Sequence, residues 1–246
     1  IGRFATDIAP DDLARLCRAA YGDGRFAADE VVPLRSIGDG MTLVGLSEGP
    51  TLAFKDMAMQ FLGQTLDHVL EQRGGVLNVL GATSGDTGSA AEHALRGREH
   101  VAVFMLSPQG RMSDFQRAQM YSLQDANVHN IAIAGVFDDC QDLVKRLAQD
   151  LELKRAHSIG AVNSINVGRI AAQVAYYVWA WLRATDDVPA QSRATSAVSF
   201  AVPSGNFGNI LSGLYARLMG VPIRRLVLAV NENNVLDECF RTGIYR

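Results

Sequence analysis

The sequence predicts an α/β fold that is built around a mostly parallel sheet. Short, almost continuously apolar segments alternate along the chain with helical patterns, as expected of strands that are buried on both faces and joined by helices. Two of these segments lead through a glycine-rich loop into a helix, at residues 81–88 and 203–209. Units of strand, loop and helix imply right-handed crossovers and therefore parallel pairing of the strands.

The composition is typical of a globular chain. It has 246 residues, of which 48% are hydrophobic and 20% are charged. The net charge of −3 gives no electrostatic reason to bind nucleic acid or an anionic bilayer. No apolar run reaches the length of a transmembrane helix. We therefore predict neither a nucleic-acid partner nor a membrane partner.

The cysteines favour a reducing, cytoplasmic setting. Cys17, Cys140 and Cys239 are odd in number and far apart, so they do not form a disulfide framework. Neither the cysteines nor the histidines have the spacing of metal ligands, and we predict no metal site.

The individual elements follow from hydrophobic periodicity and from start and stop signals. Asp11 and Asp12 are candidate N-cap residues for a first helix at 13–20. The pair Asp138 and Asp139 is typical of a helix cap rather than of a catalytic dyad. Further helices are predicted from residue 56 to the glycines at 74 and 75, and at 89–95, 139–151, 163–182 and 210–219. Apolar segments predict strands at 41–46, 76–80, 101–106, 131–134, 197–202 and 226–230.

The later glycine-rich loop is a candidate phosphate site. It reads Ser204-Gly-Asn-Phe-Gly-Asn209 and lies between an apolar strand and a helix start, where free backbone N–H groups and the helix dipole favour an anion. Gly205 and Gly208 lack the Cβ atoms that would keep a phosphate away from the main chain, and Asn206 and Asn209 offer further donors. The alternative from the residues alone is an ordinary tight turn.

The earlier loop, residues 81–88, occupies an equivalent position between a strand and a helix. Thr83, Ser84 and Thr87 supply hydroxyl groups, and Gly85 keeps the backbone open, so the loop can hold a small carboxylate. Asp86 argues against a highly charged phosphate ligand here. The alternative is a hydroxyl-rich helix cap.

A third segment contains Lys55, which follows three apolar residues and precedes a helix. An amine in that place is partly desolvated and near the positive end of a helix dipole, and both influences favour a usable nucleophile or base. The alternative is a surface lysine with a buried stem.

Together the three segments offer a phosphate-binding loop, a loop that can bind a small anion, and an activated lysine. Pyridoxal phosphate requires a phosphate anchor and a lysine that forms a Schiff base, so it is the cofactor that this combination predicts.

These residues lie in four motifs that resemble the threonine synthase family, pyridoxal-phosphate enzymes of the tryptophan-synthase-β-like fold. The motifs are Gly49-Pro-Thr-Leu-Ala-Phe-Lys-Asp56, Ala82-Thr-Ser-Gly-Asp-Thr-Gly-Ser-Ala-Ala91, Asn163-Ser-Ile-Asn-Val-Gly-Arg-Ile170 and Pro203-Ser-Gly-Asn-Phe-Gly-Asn-Ile210. The resemblance implies fold type II, a three-layer α/β/α arrangement with mostly parallel sheets. It also implies a smaller domain at 49–162, with the lysine and the substrate loop, and a larger domain formed by 1–48 and 163–246.

The resemblance implies a reaction and a role for each motif. The family turns O-phospho-L-homoserine and water into L-threonine and phosphate, by γ-elimination followed by addition of water at the β carbon. By similarity Lys55 holds the cofactor and then shuttles protons. The cofactor phosphate is seated by Ser204, Gly205, Asn206, Phe207, Gly208 and Asn209. The substrate is bound by Thr83, Ser84, Gly85, Asp86 and Thr87, with weaker candidates for the leaving phosphate in Asn163, Ser164, Asn166 and Arg169.

Family members extend beyond both ends of this segment, and their contact to the pyridine nitrogen comes from the stretch after it. The resemblance therefore implies an internal segment, shortened at both ends, and we expect it to be a poor catalyst alone. Two alternatives stay open from the sequence. One is a pyridoxal-phosphate lyase that carries out β-elimination on serine, threonine or phosphothreonine. The other is a non-catalytic chain that resembles threonine synthase and binds a ligand or a partner.

Overall fold

The computed structural model describes residues 1–22, 24–161, 166–232 and 234–244. Its strands are β1 (Leu34–Gly38), β2 (Met41–Val44), β3 (Leu77–Ala82), β4 (Val101–Pro108), β5 (Val128–Ile133), β6 (Ile159–Ala161), β7 (Val198–Pro203) and β8 (Ile223–Ala229). Its helices are α1 (Pro10–Tyr21), α2 (Lys55–Arg73), α3 (Asp86–Leu95), α4 (Asp114–Tyr121), α5 (Phe137–Gln149), α6 (Leu151–Ala156), α7 (Val167–Ala184), α8 (Ala190–Arg193), α9 (Gly208–Leu218) and α10 (Val235–Thr242).

The chain divides into two compact units. The lysine unit comprises Thr6–Val31 and Leu46–Asn166, and the loop unit comprises Ile1–Ala5, Val32–Gly45 and Val167–Arg246. The domain bounds implied by the resemblance stay a prediction. In the structure, residues 6–31 belong to the same unit as Lys55.

The lysine unit is built on a four-stranded parallel sheet in the order β5-β4-β3-β6. Leu77 of β3 pairs with Val101 of β4, and the register continues to Ala82 and Leu106. Helix α3 packs on β4 and on α2, while α5 packs on β3 and β4. The core between these elements consists mainly of small and flexible apolar side chains, namely Met59, Leu62, Val79, Ala90, Ala91, Ala94, Leu95, Val101, Val103, Met105, Met112 and Met120.

The loop unit contains two small sheets. Strands β7 and β8 pair in parallel, and β1 and β2 form an antiparallel hairpin. Helix α7 packs on α9, which in turn packs on β8. The indole N–H of Trp179 donates to the carbonyl of Val32 (2.9 Å) and ties α7 to the segment before the hairpin. The predicted α/β class is confirmed, and the pairing is parallel throughout the sheet of the lysine unit and in one of the two small sheets of the loop unit.

Several predicted helix ends are displaced by a few residues, and two of these displacements have a clear physical reason. Helix α1 begins at Pro10, with Ala9 as its N-cap residue. Proline suits this position because its φ is preset and it has no N–H that the first turn would leave unpaired. Asp11 and Asp12 are therefore not N-caps but lie in the first turn, where the helix dipole favours carboxylates. The helix predicted at 139–151 ends at Gln149, since Asp150 accepts a hydrogen bond from the N–H of Leu153 and starts a separate helix.

The cap predicted from the Asp138–Asp139 pair is confirmed for its second member. Asp139 accepts a hydrogen bond from the backbone N–H of Val136 (2.7 Å) at the start of α5. The carboxylate satisfies a donor that the helix itself leaves unpaired.

Candidate active site

Lys55 is the first residue of α2, and its amine lies against the first turn of α3. The Nζ atom is 3.1 Å from Oδ2 of Asp86. The Lys55 side chain is 14% exposed and the Asp86 side chain is 52% exposed, so the pair lies at the edge of the lysine unit with the amine on the inner side. The partial burial that the sequence predicted for Lys55 is confirmed.

Asp86 is held at both of its oxygens. Oδ2 pairs with Lys55, and Oδ1 accepts a hydrogen bond of 2.6 Å from Nε2 of Gln116 on α4. Burial on its own raises the pKa of Asp86, but the Lys55 ammonium and the hydrogen bonds from Gln116 and Lys55 outweigh it and lower the pKa. Asp86 is therefore a stable anionic partner for the amine.

The turn before α2 fixes where the helix begins and therefore where Lys55 lies. Asp56 is fully buried, and its two oxygens accept hydrogen bonds of 2.8 Å from the N–H and the hydroxyl of Thr51. Burial raises the pKa of Asp56 in spite of these bonds. A Cβ atom at Gly49 would collide with the Asp56 side chain, so glycine is required there. Asp56 thus has a structural role.

The loop from Thr83 to Thr87 is shaped by one hydroxyl group and leaves two others open. Thr83 is 2% exposed, and its Oγ1 accepts hydrogen bonds from the N–H groups of Gly85 (3.0 Å) and Gly88 (2.9 Å). Ser84 is exposed and Thr87 is half-buried. In the part of the chain that the structure describes, neither of those hydroxyls has a hydrogen-bond partner. The loop therefore presents Ser84 and Thr87, with Asp86 between them, beside Lys55.

The loop from Ser204 to Asn209 belongs to the loop unit and ends at the start of α9. The N–H of Ser204 donates to the carbonyl of Ala229, and a tight turn closes between Gly208 N–H and the carbonyl of Asn206 (2.7 Å). Phe207 adopts a left-handed conformation with φ of 62°. No acceptor among the described residues pairs with the backbone N–H groups of residues 205–207. Free N–H groups at a helix N-terminus suit a phosphate.

Two tyrosines that the sequence analysis did not single out hold this loop. The hydroxyls of Tyr176 (2.6 Å) and Tyr177 (3.0 Å) donate to the side-chain oxygen of Asn209, and Tyr177 also lies within hydrogen-bond distance of its carbonyl. Burial raises the pKa of Tyr177 above the ordinary range, so it stays a donor at all ordinary pH values. The tyrosines therefore fix the Asn209 side chain through its oxygen, and the amide NH₂ and the backbone N–H are the groups of Asn209 that can donate to an anion.

The remaining predicted residues are only partly described. Asn163 and Ser164 lie outside the described residues. Asn166 is half-buried directly before α7. Arg169 lies in the first turn of α7 and is 2% exposed, and burial lowers the pKa of its guanidinium.

The described residues fit pyridoxal phosphate. The lysine unit supplies one sheltered primary amine for an aldehyde, and the loop unit supplies a cluster of free N–H groups for a phosphate. Within residues 1–22, 24–161, 166–232 and 234–244, no cluster of histidine, cysteine or acidic side chains could hold a metal ion. None of the described helices has the length and apolar character needed to traverse a bilayer.

Comparison with known proteins decides the family. Residues 46–245 match the family model described as pyridoxal-phosphate dependent enzyme. The chain belongs to the family of pyridoxal-phosphate-dependent enzymes. The predicted cofactor is thereby confirmed.

Individual members of this pyridoxal-phosphate-dependent family are similar over the whole chain. Threonine synthase of Corynebacterium glutamicum is 53% identical over 246 residues, which are 100% of this chain and 50% of that protein. Threonine synthase of Saccharomyces cerevisiae is 43% identical, over 98% of this chain and 48% of that protein. The resemblance to threonine synthases is confirmed, and the chain spans about half the length of the curated relatives it matches.

Solved structures show the same fold. The pyridoxal-phosphate-bound threonine synthase from Brucella melitensis superposes with a TM-score of 0.91 at 44% identity, covering 100% of this chain and 51% of that one. Maize serine racemase superposes with a TM-score of 0.64 at 15% identity over 96% of this chain and 65% of that one, which shows a shared fold alone. Fold type II of pyridoxal-phosphate enzymes, as predicted, is therefore confirmed.

Proposed function

We propose that this chain carries the lysine and the phosphate loop of a threonine synthase, which converts O-phospho-L-homoserine and water into L-threonine and phosphate. The observation that carries the proposal is the Lys55 amine, sheltered at the start of α2 and paired with Asp86, in a chain that is similar to threonine synthases along its whole length. The three cysteines are free, which favours a reducing, cytoplasmic setting.

Lys55 is the residue proposed to hold the cofactor. Pyridoxal phosphate, when bound, supplies an aldehyde that captures an amine and a ring that accepts electrons from the substrate. The Nζ atom of Lys55 is proposed to take up and return protons at the α and β carbons of the substrate. Because its side chain is only 14% exposed, bulk water competes little for that amine.

The loop at 204–209 is proposed to seat the cofactor phosphate. The free N–H groups of Gly205, Asn206 and Phe207 carry partial positive charge at the N-terminus of α9. Gly208 and the backbone of Asn209 begin that helix, and Ser204 anchors the loop to β8 through the carbonyl of Ala229.

The loop at 83–87 is proposed to bind the substrate. Ser84 and Thr87 have hydroxyl groups that are open to a carboxylate. The backbone N–H groups of Asp86 and Thr87, which have no acceptor among the described residues, lie at the positive end of the α3 dipole. Thr83 contributes by shaping the loop, and Gly85 allows the sharp backbone at φ of 150°. Asp86 contributes indirectly, by pairing with the Lys55 amine that lies beside the loop.

Asn163, Ser164, Asn166 and Arg169 are proposed to hold the phosphate that leaves the substrate. Arg169 is the charged residue among the four, and a guanidinium binds phosphate through two parallel hydrogen bonds. A neutral variant, Arg169→Gln, should therefore raise the KM for phosphohomoserine more than it lowers kcat.

Product analysis tests the reaction. The chain is supplied with pyridoxal phosphate and O-phospho-L-homoserine, and threonine, phosphate, 2-oxo acid and ammonia are measured, with Lys55→Ala as control. Threonine and phosphate in equal amounts support the proposal. A 2-oxo acid with ammonia from serine, threonine or phosphothreonine would instead identify a β-eliminating lyase. Because we expect this segment to be a poor catalyst alone, cofactor held at Lys55 with no product from any of these substrates would leave the non-catalytic alternative open.

A further inference from the structure

The pair formed by Lys55 and Asp86 has a third member on α4. The Asp86 side chain is 52% exposed, so packing does not fix where its carboxylate points. Its two hydrogen bonds do: Oδ2 meets Lys55 Nζ at 3.1 Å and Oδ1 meets Gln116 Nε2 at 2.6 Å. A carboxylate that bridges two donors has one orientation only, and the donor on the far side from the amine is Gln116.

Gln116 is itself held in place by two hydrogen bonds with Ser113. The hydroxyl of Ser113, the N-cap of α4, donates to Gln116 Oε1 (3.0 Å), and the backbone N–H of Gln116 donates back to Ser113 Oγ (3.2 Å). With Oε1 occupied, the amide must present its NH₂ group to Asp86, which can only accept. The amide also lies directly over Gly85, where any Cβ would collide with it.

These contacts form a chain from a helix cap to the reactive amine. Ser113 orients Gln116, Gln116 orients Asp86, and Asp86 holds Lys55. We propose that Gln116 is a positioning residue for Lys55, acting through Asp86 to hold the amine in one place whenever no cofactor or substrate holds it. The inference rests on the proposed function, in which Lys55 is alternately bound and released.

The test measures how readily the Lys55 amine reacts with a small neutral reagent, the N-hydroxysuccinimide ester of acetic acid, in the absence of any cofactor. The purified 246-residue chain is treated briefly, digested, and the acetylation of each lysine is quantified by mass. The chain has two other lysines, Lys145 and Lys154, which are exposed and serve as internal references in the same sample.

Loss of the holding contacts should make Lys55 react faster relative to these references. Asp86→Asn removes the ion pair and should raise the relative rate about fivefold, the scale of a partly exposed ion pair. Gln116→Met and Gln116→Leu remove the donor to Asp86 and should each raise it about two- to threefold. Arg117→Gln, an exposed change on the same helix, should leave it unchanged.

The decisive comparison is the double variant. If Gln116 acts through Asp86, then Gln116→Met has no effect in the Asp86→Asn background, because the carboxylate that it orients is gone. An equal increase in both backgrounds, or no increase for either Gln116 variant, overturns the inference. Since acetylation needs no cofactor, the outcome is independent of whether Lys55 binds pyridoxal phosphate, which reductive trapping tests separately.

Discussion

Replacement of Glu92 by glutamine is expected to stabilise the chain, by an amount that grows with pH. Glu92 lies on α3 with a fully buried side chain. One oxygen accepts a long hydrogen bond from Asn130 Nδ2 (3.4 Å), and the other, Oε1, has no partner among the described residues. Burial raises the pKa of Glu92 from 4.5 to about 8, and the bond from Asn130 offsets only a small part.

The sign and size of the effect follow from this shift. The folded chain keeps the Glu92 proton between pH 4.5 and about pH 8, while the unfolded chain loses it in the same range. The free energy of unfolding therefore falls as the pH rises, by about 1.4 kcal/mol per pH unit. From pH 4.5 to about pH 7 the loss amounts to roughly 3 kcal/mol. Glutamine cannot ionise, so the variant escapes that loss.

Urea unfolding followed by far-UV circular dichroism measures the effect at several pH values. The difference between wild type and Glu92→Gln is the quantity of interest, because contributions from other titrating groups cancel in it. It should be small at about pH 5 and reach roughly 3 kcal/mol at about pH 7. Glu71→Gln, which removes an exposed carboxylate from α2, is the matched control and should give a small difference at every pH.

A difference between wild type and Glu92→Gln that does not change with pH would refute the reasoning. It would mean that Glu92 ionises at the same pH in the folded and the unfolded chain, and that its burial is relieved by a partner or by water when it is charged.

Two further predictions concern the supports of the site. Tyr177→Phe removes a hydroxyl that donates to Asn209 and should lower the free energy of unfolding of the loop unit by about 1–2 kcal/mol. Urea unfolding followed by tryptophan fluorescence measures this, since Trp179 and Trp181 lie on the same helix as Tyr177. An unchanged urea midpoint would contradict the prediction. Gly49→Ala places a Cβ against the buried Asp56 side chain and should destabilise the lysine unit by several kcal/mol in thermal unfolding. Gly75→Ala is the control: its Cβ would meet only a leucine methyl at 3.7 Å, so it should destabilise the unit much less in the same experiment.

Strands β3, β4, β7 and β8 all lie within about three residues of their predicted positions. Burial explains this best for β4, which is buried along most of its length. Strands β7 and β8 alternate between more buried and exposed positions, and their predominantly apolar sequence still marks them as strands. Strand β6 could not be predicted in this way. It has only three residues, Ile159–Ala161, and owes its extended form to pairing with β3.

Helix α4 was missed although a local signal was present. Ser113 and Gln116 have the spacing of a capping box, Ser-x-x-Gln, which marks the start of a helix. That pattern predicts Gln116 in the first turn of a helix. It does not predict that Gln116 lies beside Asp86, because that contact depends on how the first turns of α3 and α4 meet.

The candidate site shows the same division between local pattern and tertiary contact. The position of Lys55 at a helix start, its partial burial and the strand–loop–helix geometry of both glycine-rich loops were predictable from nearby residues. The pairing of Lys55 with Asp86 joins α2 to α3, and the two tyrosines reach Asn209 from α7. Such contacts over more than thirty residues have no signature in periodicity.

The central claim is that Lys55 is the amine that takes up pyridoxal phosphate, and reductive trapping tests it most directly. The chain is incubated with the cofactor, reduced with borohydride, digested and mapped by mass, with Lys55→Ala as control. We expect one stable adduct on the peptide that contains Lys55 and none in the variant. An adduct on Lys145 or Lys154 without one on Lys55, or an unchanged amount of adduct in Lys55→Ala, would contradict the claim.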